Sequence, residues 1–229
     1  VLQPAIQMRG HLITFEGGEG AGKSTQVAAL AKRLSGMGIA TVATREPGGS
    51  PGAEIIRKIL LSGAAKTLGP DGEAVLFAAA RADHIEALLK PALAAGKWII
   101  CDRYIDSTRV YQGAVGKVGD AFIKGLEKLT VGDVLPELTF ILDVPANVGL
   151  ARAHERRGNG STDRFESQDI GFHEALNAAF RDIAKNEPER CVLIDSNRPA
   201  DVVAADIWRI VRKRLSPENA PLTFEELVR

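Results

Sequence analysis

At 229 residues with 45% hydrophobic content, the chain can bury one full core, and its length fits a single α/β domain better than two independent ones. Lys plus Arg equals Asp plus Glu at 29 each, which excludes a protein-wide field pulling toward nucleic acid or an acidic membrane, so any anion site must be local. Cys101 and Cys191 lie in apolar runs outside any CxxC or Cys/His cluster, which argues against structural zinc and agrees with a reducing, cytoplasmic setting.

In chain order, residues 1–10 (VLQPAIQMRG) read as a flexible extension, lacking the basic start and apolar stretch of a signal peptide. No later run approaches the ~20 apolar residues that cross a bilayer. LITF near residue 12 is predicted as a buried strand, followed by a helix over Thr25 to Leu34 and a second strand, TVAT, near 41. Helical spacing covers Ala53 to Leu61 and Glu73 to Leu89, and buried strands return at WIIC near 98 and LTFILDV near 138. A helix entering from Asn147 runs toward the Gly/Ser-rich loop RGNGSTD at 157–163, expected to be mobile. The strand CVLI near 191 and a helix over Val202 to Val211, with Val203, Ile207, Ile210 and Val211 on its core face, precede a loose tail at 216–229. Strands alternating with helices predict a five-stranded parallel sheet flanked by helices on both faces, with function gathered at the carboxyl ends of the strands.

Directly after the first strand, Gly17, Gly18, Glu19, Gly20, Ala21, Gly22, Lys23 and Ser24 match GxxxxGK[ST], with Thr25 opening the helix. Glycines let successive N–H groups and the helix N-terminus aim at phosphate oxygens. Lys23 adds a point charge, and Ser24 a magnesium ligand. This is a P-loop NTPase signature for ATP and Mg²⁺. Asp102, ending WIIC, is the companion carboxylate for magnesium, or else a turn cap. Arg103 either forks onto a phosphate or neutralises Asp102.

The chain lacks DxxG and NKxD, so a guanine-nucleotide switch is disfavoured, and its balanced charge with 5% aromatics disfavours a DNA-handling ATPase. A kinase remains, with a non-catalytic ATP-binding module as the alternative. Arg152, Arg156, Arg157 and Arg164 surround the glycine loop. Arg152 and Arg156 stand one helical turn apart and could close as a lid, or form a solvated basic helix end.

FEGGEGAGKST at 15–25, TREPGGS at 44–50, LFAAARADH at 76–84, CDRYIDSTRVYQG at 101–113, LDVP at 142–145 and DRFE at 163–166 together resemble the thymidylate kinase family in its bacterial, lid-arginine form. The match spans His11 to about Leu215. The resemblance implies a nucleoside monophosphate kinase-like fold with a short lid at about 147–166, a dTMP substrate, no nucleic-acid or membrane partner, and a homodimer. It implies that Phe77 stacks on thymine (or is a core Phe) and that Arg81 donates to a base carbonyl (or pairs at the surface with Asp83 or Glu86). Arg45 and Arg103 would grip the monophosphate, and Glu19 would face the deoxyribose 3′-hydroxyl. Thr108 and Gln112 would read base edges with help from Ser107, and Tyr111 would pack beside the sugar. Any of the last four could instead be a loop-stabilising polar residue. Lys23, Arg103, Arg152, Arg156 and Arg157 form the expected catalytic set, Ser24 and Asp102 the metal ligands, and Glu166 stays outside both. Another monophosphate acceptor is the alternative within enzymes.

Overall fold

The computed structural model describes residues 9–157, 165 and 167–216, with Arg157 as main chain only. Most of the expected extension and tail, the lid residues 158–164, which include Arg164, and Glu166 lie outside the described residues, as does the side chain of Arg157.

Five parallel strands order as β2-β3-β1-β4-β5. β1 (Leu12–Glu16) is buried throughout, as are β3 (Trp98–Asp102) to Cys101 and β4 (Leu138–Asp143) to Leu142. These near-continuous apolar runs are what a strand covered on both faces requires. β2 (Thr41–Arg45) and β5 (Cys191–Asp195) are only partly buried, not fully as expected, because each occupies a sheet edge.

Alternation along β1 sends Ile13 and Phe15 into one core with α1 (Lys23–Gly36) and α9 (Ala200–Leu215). In α9, Val203, Ile207, Trp208 and Val211 are buried and Ile210 only partly, so Trp208 holds the place expected for Ile210. Leu12 joins the opposite core with Ile85, Leu89, Ile99 and Tyr104.

α2 (Pro51–Leu61) and α3 (Gly69–His84) follow β2. The helix expected over Glu73 to Leu89 starts earlier and continues beyond, through a wide turn at Ile85–Leu89 into α4 (Lys90–Ala94). Pro70 and Pro91 each fall in the first turn of their helix, where a missing N–H leaves no bond unmade. α5 (Ile105–Thr108) runs into another wide turn at Arg109–Val115, then α6 (Asp120–Thr130) leads to β4, and α7 (Ala146–Arg157) and α8 (Ile170–Asn186) lead to β5.

Parallel register pairs Phe15 with Asp102 and Glu16 with Ile141, so the three central strands end together. The chain leaves β1 toward β2 and leaves β3 for the other side of the sheet, which opens a crevice at the carboxyl ends. The loop after β1 touches α7 backbone to backbone: a Cβ on Gly20 would fall 1.8 Å from the Gly149 carbonyl oxygen, and one on Gly149 2.4 Å from that of Glu19. Gly149→Ala should therefore lower stability by about 1–3 kcal/mol, read from the midpoint of urea unfolding. An unchanged midpoint would mean that α7 can withdraw from the loop freely.

Candidate active site

Gly22, at φ 93°, caps α1, so the helix begins at Lys23 with its first N–H groups facing the loop. Lys23 is buried, and its ammonium donates to the carbonyls of Gly18 at 2.7 Å and Gly17 at 3.1 Å. Those two glycines hold the lysine, while residues 19–24 line the cavity. Burial, with Arg103 close by, pulls the Lys23 pKa down to about 8 despite Glu19, Asp102 and Glu16. A polyphosphate would supply the opposing charge that the ammonium lacks.

Ser24 Oγ donates to Asp102 Oδ2 at 2.6 Å. A hydroxyl and a carboxylate in contact beside a phosphate loop form a hard-oxygen donor pair suited to magnesium. Arg103 does not hydrogen-bond Asp102, the neutralising contact left open by the sequence. Its Nη2 donates to Glu19 Oε1 at 2.5 Å and to the Tyr111 hydroxyl at 3.0 Å, and its Nη1 to Ser107 Oγ at 3.2 Å and the Gly17 carbonyl at 3.3 Å. The reason is backbone direction: Arg103 sits at φ 68°, a left-handed conformation that turns the chain off β3 toward the P-loop. Tyr111 also donates to Glu19, at 2.9 Å. Burial would raise the Glu19 carboxyl, but Arg103, Lys23 and Tyr111 outweigh it and hold it at about 2. The acid inside the P-loop is thus an ionised partner of Arg103.

One cavity brings together Arg45, Phe77, Arg81, Arg103, Ser107, Thr108, Tyr111 and Gln112 with the P-loop. Phe77 lies at its wall, half-buried, with the ring of Phe165 centred 6.5 Å away, so it is not simply a core residue. Arg81 is no surface ion pair with Asp83 or Glu86. It is buried and donates through Nε to Glu46 at 2.7 Å, and through Nη2 to Tyr104 O and Thr108 Oγ1, each at 3.0 Å. Asp83 instead accepts from Ser50 Oγ at 2.6 Å and Ala53 N at 2.9 Å. Arg45 is half-exposed and paired with Glu54 at 2.8 Å. Ser107 donates to Glu16 Oε2 at 2.6 Å and so links the P-loop strand to the Arg103 turn.

Arg152 lines a second cavity with Thr25 and donates to the Ser196 carbonyl at 3.0 Å, whereas Arg156 lines both cavities. The two arginines therefore share the second cavity, and Arg156 alone also reaches the first.

Sequence reasoning missed Arg57, Leu61 and Phe165 in the first cavity, and Gln26, Ser196, Arg198 and Pro199 in the second. The SNRP segment after β5 carried a usable signal, since it follows a strand's carboxyl end. Arg57 lies well inside α2, and only the packing of that helix reveals it.

Residues 15–207 match the family model described as thymidylate kinase. The chain is 54% identical over 212 residues to the thymidylate kinase of Bradyrhizobium diazoefficiens, covering 93% of each. It is 57% identical over 209 residues to that of Rhodopseudomonas palustris, covering 91% of each. Among solved structures, thymidylate kinase from Ehrlichia chaffeensis superposes with a TM-score of 0.73 at 33% identity, over 89% of this chain and 99% of that one.

Beneath the site, Glu16 accepts from Tyr104 N at 2.7 Å and Ser107 N at 3.2 Å. Burial, then the charge of Asp106, nevertheless lifts its pKa from 4.5 to about 7. A carboxyl raised in the folded state contributes stability that is complete below pH 4.5 and lost as pH rises through about 7. Glu16→Gln removes that loss. The unfolding free energy of the variant minus that of the wild type should climb across this window, by at most about 1.4 kcal/mol per pH unit, in urea titrations at stepped pH. A flat difference would refute the raised pKa.

Proposed function

The chain belongs to the thymidylate kinase family and transfers the γ-phosphoryl of ATP to dTMP, giving dTDP and ADP in dTTP synthesis, and from that premise we propose how its own residues carry the reaction. The supporting observation is the convergence of Lys23, the Ser24–Asp102 contact and the Arg103–Glu19–Tyr111 cluster on the cavity that also holds Phe77 and Arg81.

ATP lies with its phosphates along residues 17–25 and its base toward Arg198 and Pro199 in the second cavity, flanked by Arg152. dTMP lies in the first, with thymine against Phe77 and a carbonyl toward Arg81, read also by Thr108 and Gln112. Arg45, Arg57 and Arg103 face the monophosphate, and Glu19 takes the 3′-hydroxyl. The acceptor oxygen is already anionic, so no general base is needed. Catalysis is in-line positioning plus charge cancellation by Lys23, Arg103 and Arg156, with Arg157 as a further lid arginine. Ser24 and Asp102 would hold magnesium, which when bound would neutralise phosphate charge.

Residues 11–215 act as one kinase unit with a lid at about 147–166. The unpaired, buried Cys101 and Cys191 favour the cytoplasm. Among the described residues no helix is long and apolar enough to cross a membrane. Exposed Ile55 and Ile59 on α2, Leu68 and Val75 by α3, and Phe122 on α6 support a homodimer that uses these neighbouring helices as its face.

Diphosphate formation from Mg-ATP against thymidylate, deoxyuridylate, uridylate, cytidylate, adenylate and guanylate should favour thymidylate, and a preference for another acceptor would overturn the pocket assignments. Lys23→Ala and Arg156→Ala should each lower kcat by about 100-fold or more while thymidylate affinity changes only a few-fold. Single-turnover rates equal to wild type would remove those residues from the chemistry. The pair Ile55→Glu with Ile59→Glu should convert a dimer to a monomer in sedimentation velocity, and a dimer that persists would place the interface on another face.

A further inference from the structure

At the wall of the base pocket Arg81 and Glu46 begin a buried polar chain that runs back to His84 and Thr44. The side chains of Arg81 and Glu46 are only 4% and 5% exposed and form an ion pair at 2.7 Å. The other carboxylate oxygen of Glu46 accepts from His84 Nδ1 at 2.9 Å, and His84 Nε2 meets Thr44 Oγ1 at 2.8 Å. Because the carboxylate can only accept, Nδ1 carries the proton, and in the neutral ring the Thr44 hydroxyl donates to Nε2. Gly49 closes the chain: a Cβ there would fall 2.4 Å from Thr44 Oγ1 and 2.6 Å from His84 Nε2.

Three donors of Arg81 are committed, Nε to Glu46 and Nη2 to Tyr104 O and Thr108 Oγ1, while Nη1 has no protein acceptor among the described residues. We propose that Glu46, backed by His84, is a positioning residue that makes Arg81 select a base presenting a carbonyl over one presenting an amino group. This rests on Arg81 reading the base. A guanidinium has donors only, so it can tolerate an amino group solely by swinging away. Swinging away would break the pair with Glu46, leaving that buried carboxylate to His84 alone and the guanidinium without its counter-charge. The Glu46 anchor thus turns a flexible cation into a fixed donor edge, and cytosine, with an amino group where thymine has a carbonyl, meets donors it cannot satisfy.

The test is steady-state kinetics with thymidylate and deoxycytidylate on wild type, Glu46→Gln, His84→Asn, Arg81→Ala and the double variant Glu46→Gln/Arg81→Ala. For Glu46→Gln, KM for thymidylate should rise about tenfold with kcat within about threefold, and the thymidylate-over-deoxycytidylate ratio of kcat/KM should fall about tenfold. His84→Asn should lower the ratio about threefold, and Glu46→Gln should add nothing in the Arg81→Ala background. A ratio unchanged in both Glu46→Gln and His84→Asn but lowered by Arg81→Ala would overturn the proposal and leave the base-reading role standing. Equal losses for both substrates would also overturn it, reducing Glu46 to a structural residue. Should Glu46→Gln fail to fold, His84→Asn decides alone. A ratio indifferent to Arg81→Ala would refute the base-reading role, and the selectivity proposal with it.

Discussion

The parallel pairing of β1 with β3 is the constraint from which the site follows. Register sets Phe15 against Asp102, so the chain that leaves β1 as a phosphate loop and the chain that leaves β3 as an arginine turn emerge side by side. Ser24 then reaches Asp102, and Arg103 N bonds back to Phe15 O at 2.9 Å before its side chain crosses to Glu19. A slip of one residue would reverse the faces of all these side chains and separate the donor pair.

Around that junction the chain concentrates charge it lacks globally. Lys23, Arg103, Glu19 and Asp102 line one cavity with Glu16 buried beneath it, and their charges act on one another: Lys23 is held low by burial, Glu19 low by its cations, Glu16 high by burial and Asp106. Asp106 is itself fully buried and held by both terminal nitrogens of Arg190. Arg190 also reaches Thr139, which bonds Thr14 across the sheet at 2.7 Å. The polar layer under the site therefore runs from β4 to the Arg103 turn, which Tyr104 and Ile105 also anchor in the apolar core.

A second layer joins two segments far apart in sequence. TREPGGS supplies Thr44, Glu46, Gly49 and Ser50, and the end of α3 supplies Arg81, Asp83 and His84, with each side chain of one set bonded or packed to the other. Gly49 is there because Thr44 and, from α3, His84 approach too closely for a Cβ, and Gly48 because Glu54 and Arg57 of α2 do. The histidine and the second acid serve the loop's shape, while Arg45 and Arg81 are left facing the cavity.

Sequence alone determined the α/β class, the phosphate loop and the family, because these rest on local spacing: a strand, six loop residues and a helix start are contiguous, and their chemistry is short-range. It also placed most of the pocket residues by resemblance. Tertiary structure alone decided that Ser24 bonds Asp102, what Arg103 and Arg81 bond to, that Glu46 joins the wall of the base pocket with His84 behind it, that Arg57 and Phe165 line it, and that Arg156 but not Arg152 reaches both cavities. Those facts depend on contacts spanning tens of residues and on burial. An arginine's partner is set by which carboxylate the packing brings within reach, and a linear pattern contains no term for that distance.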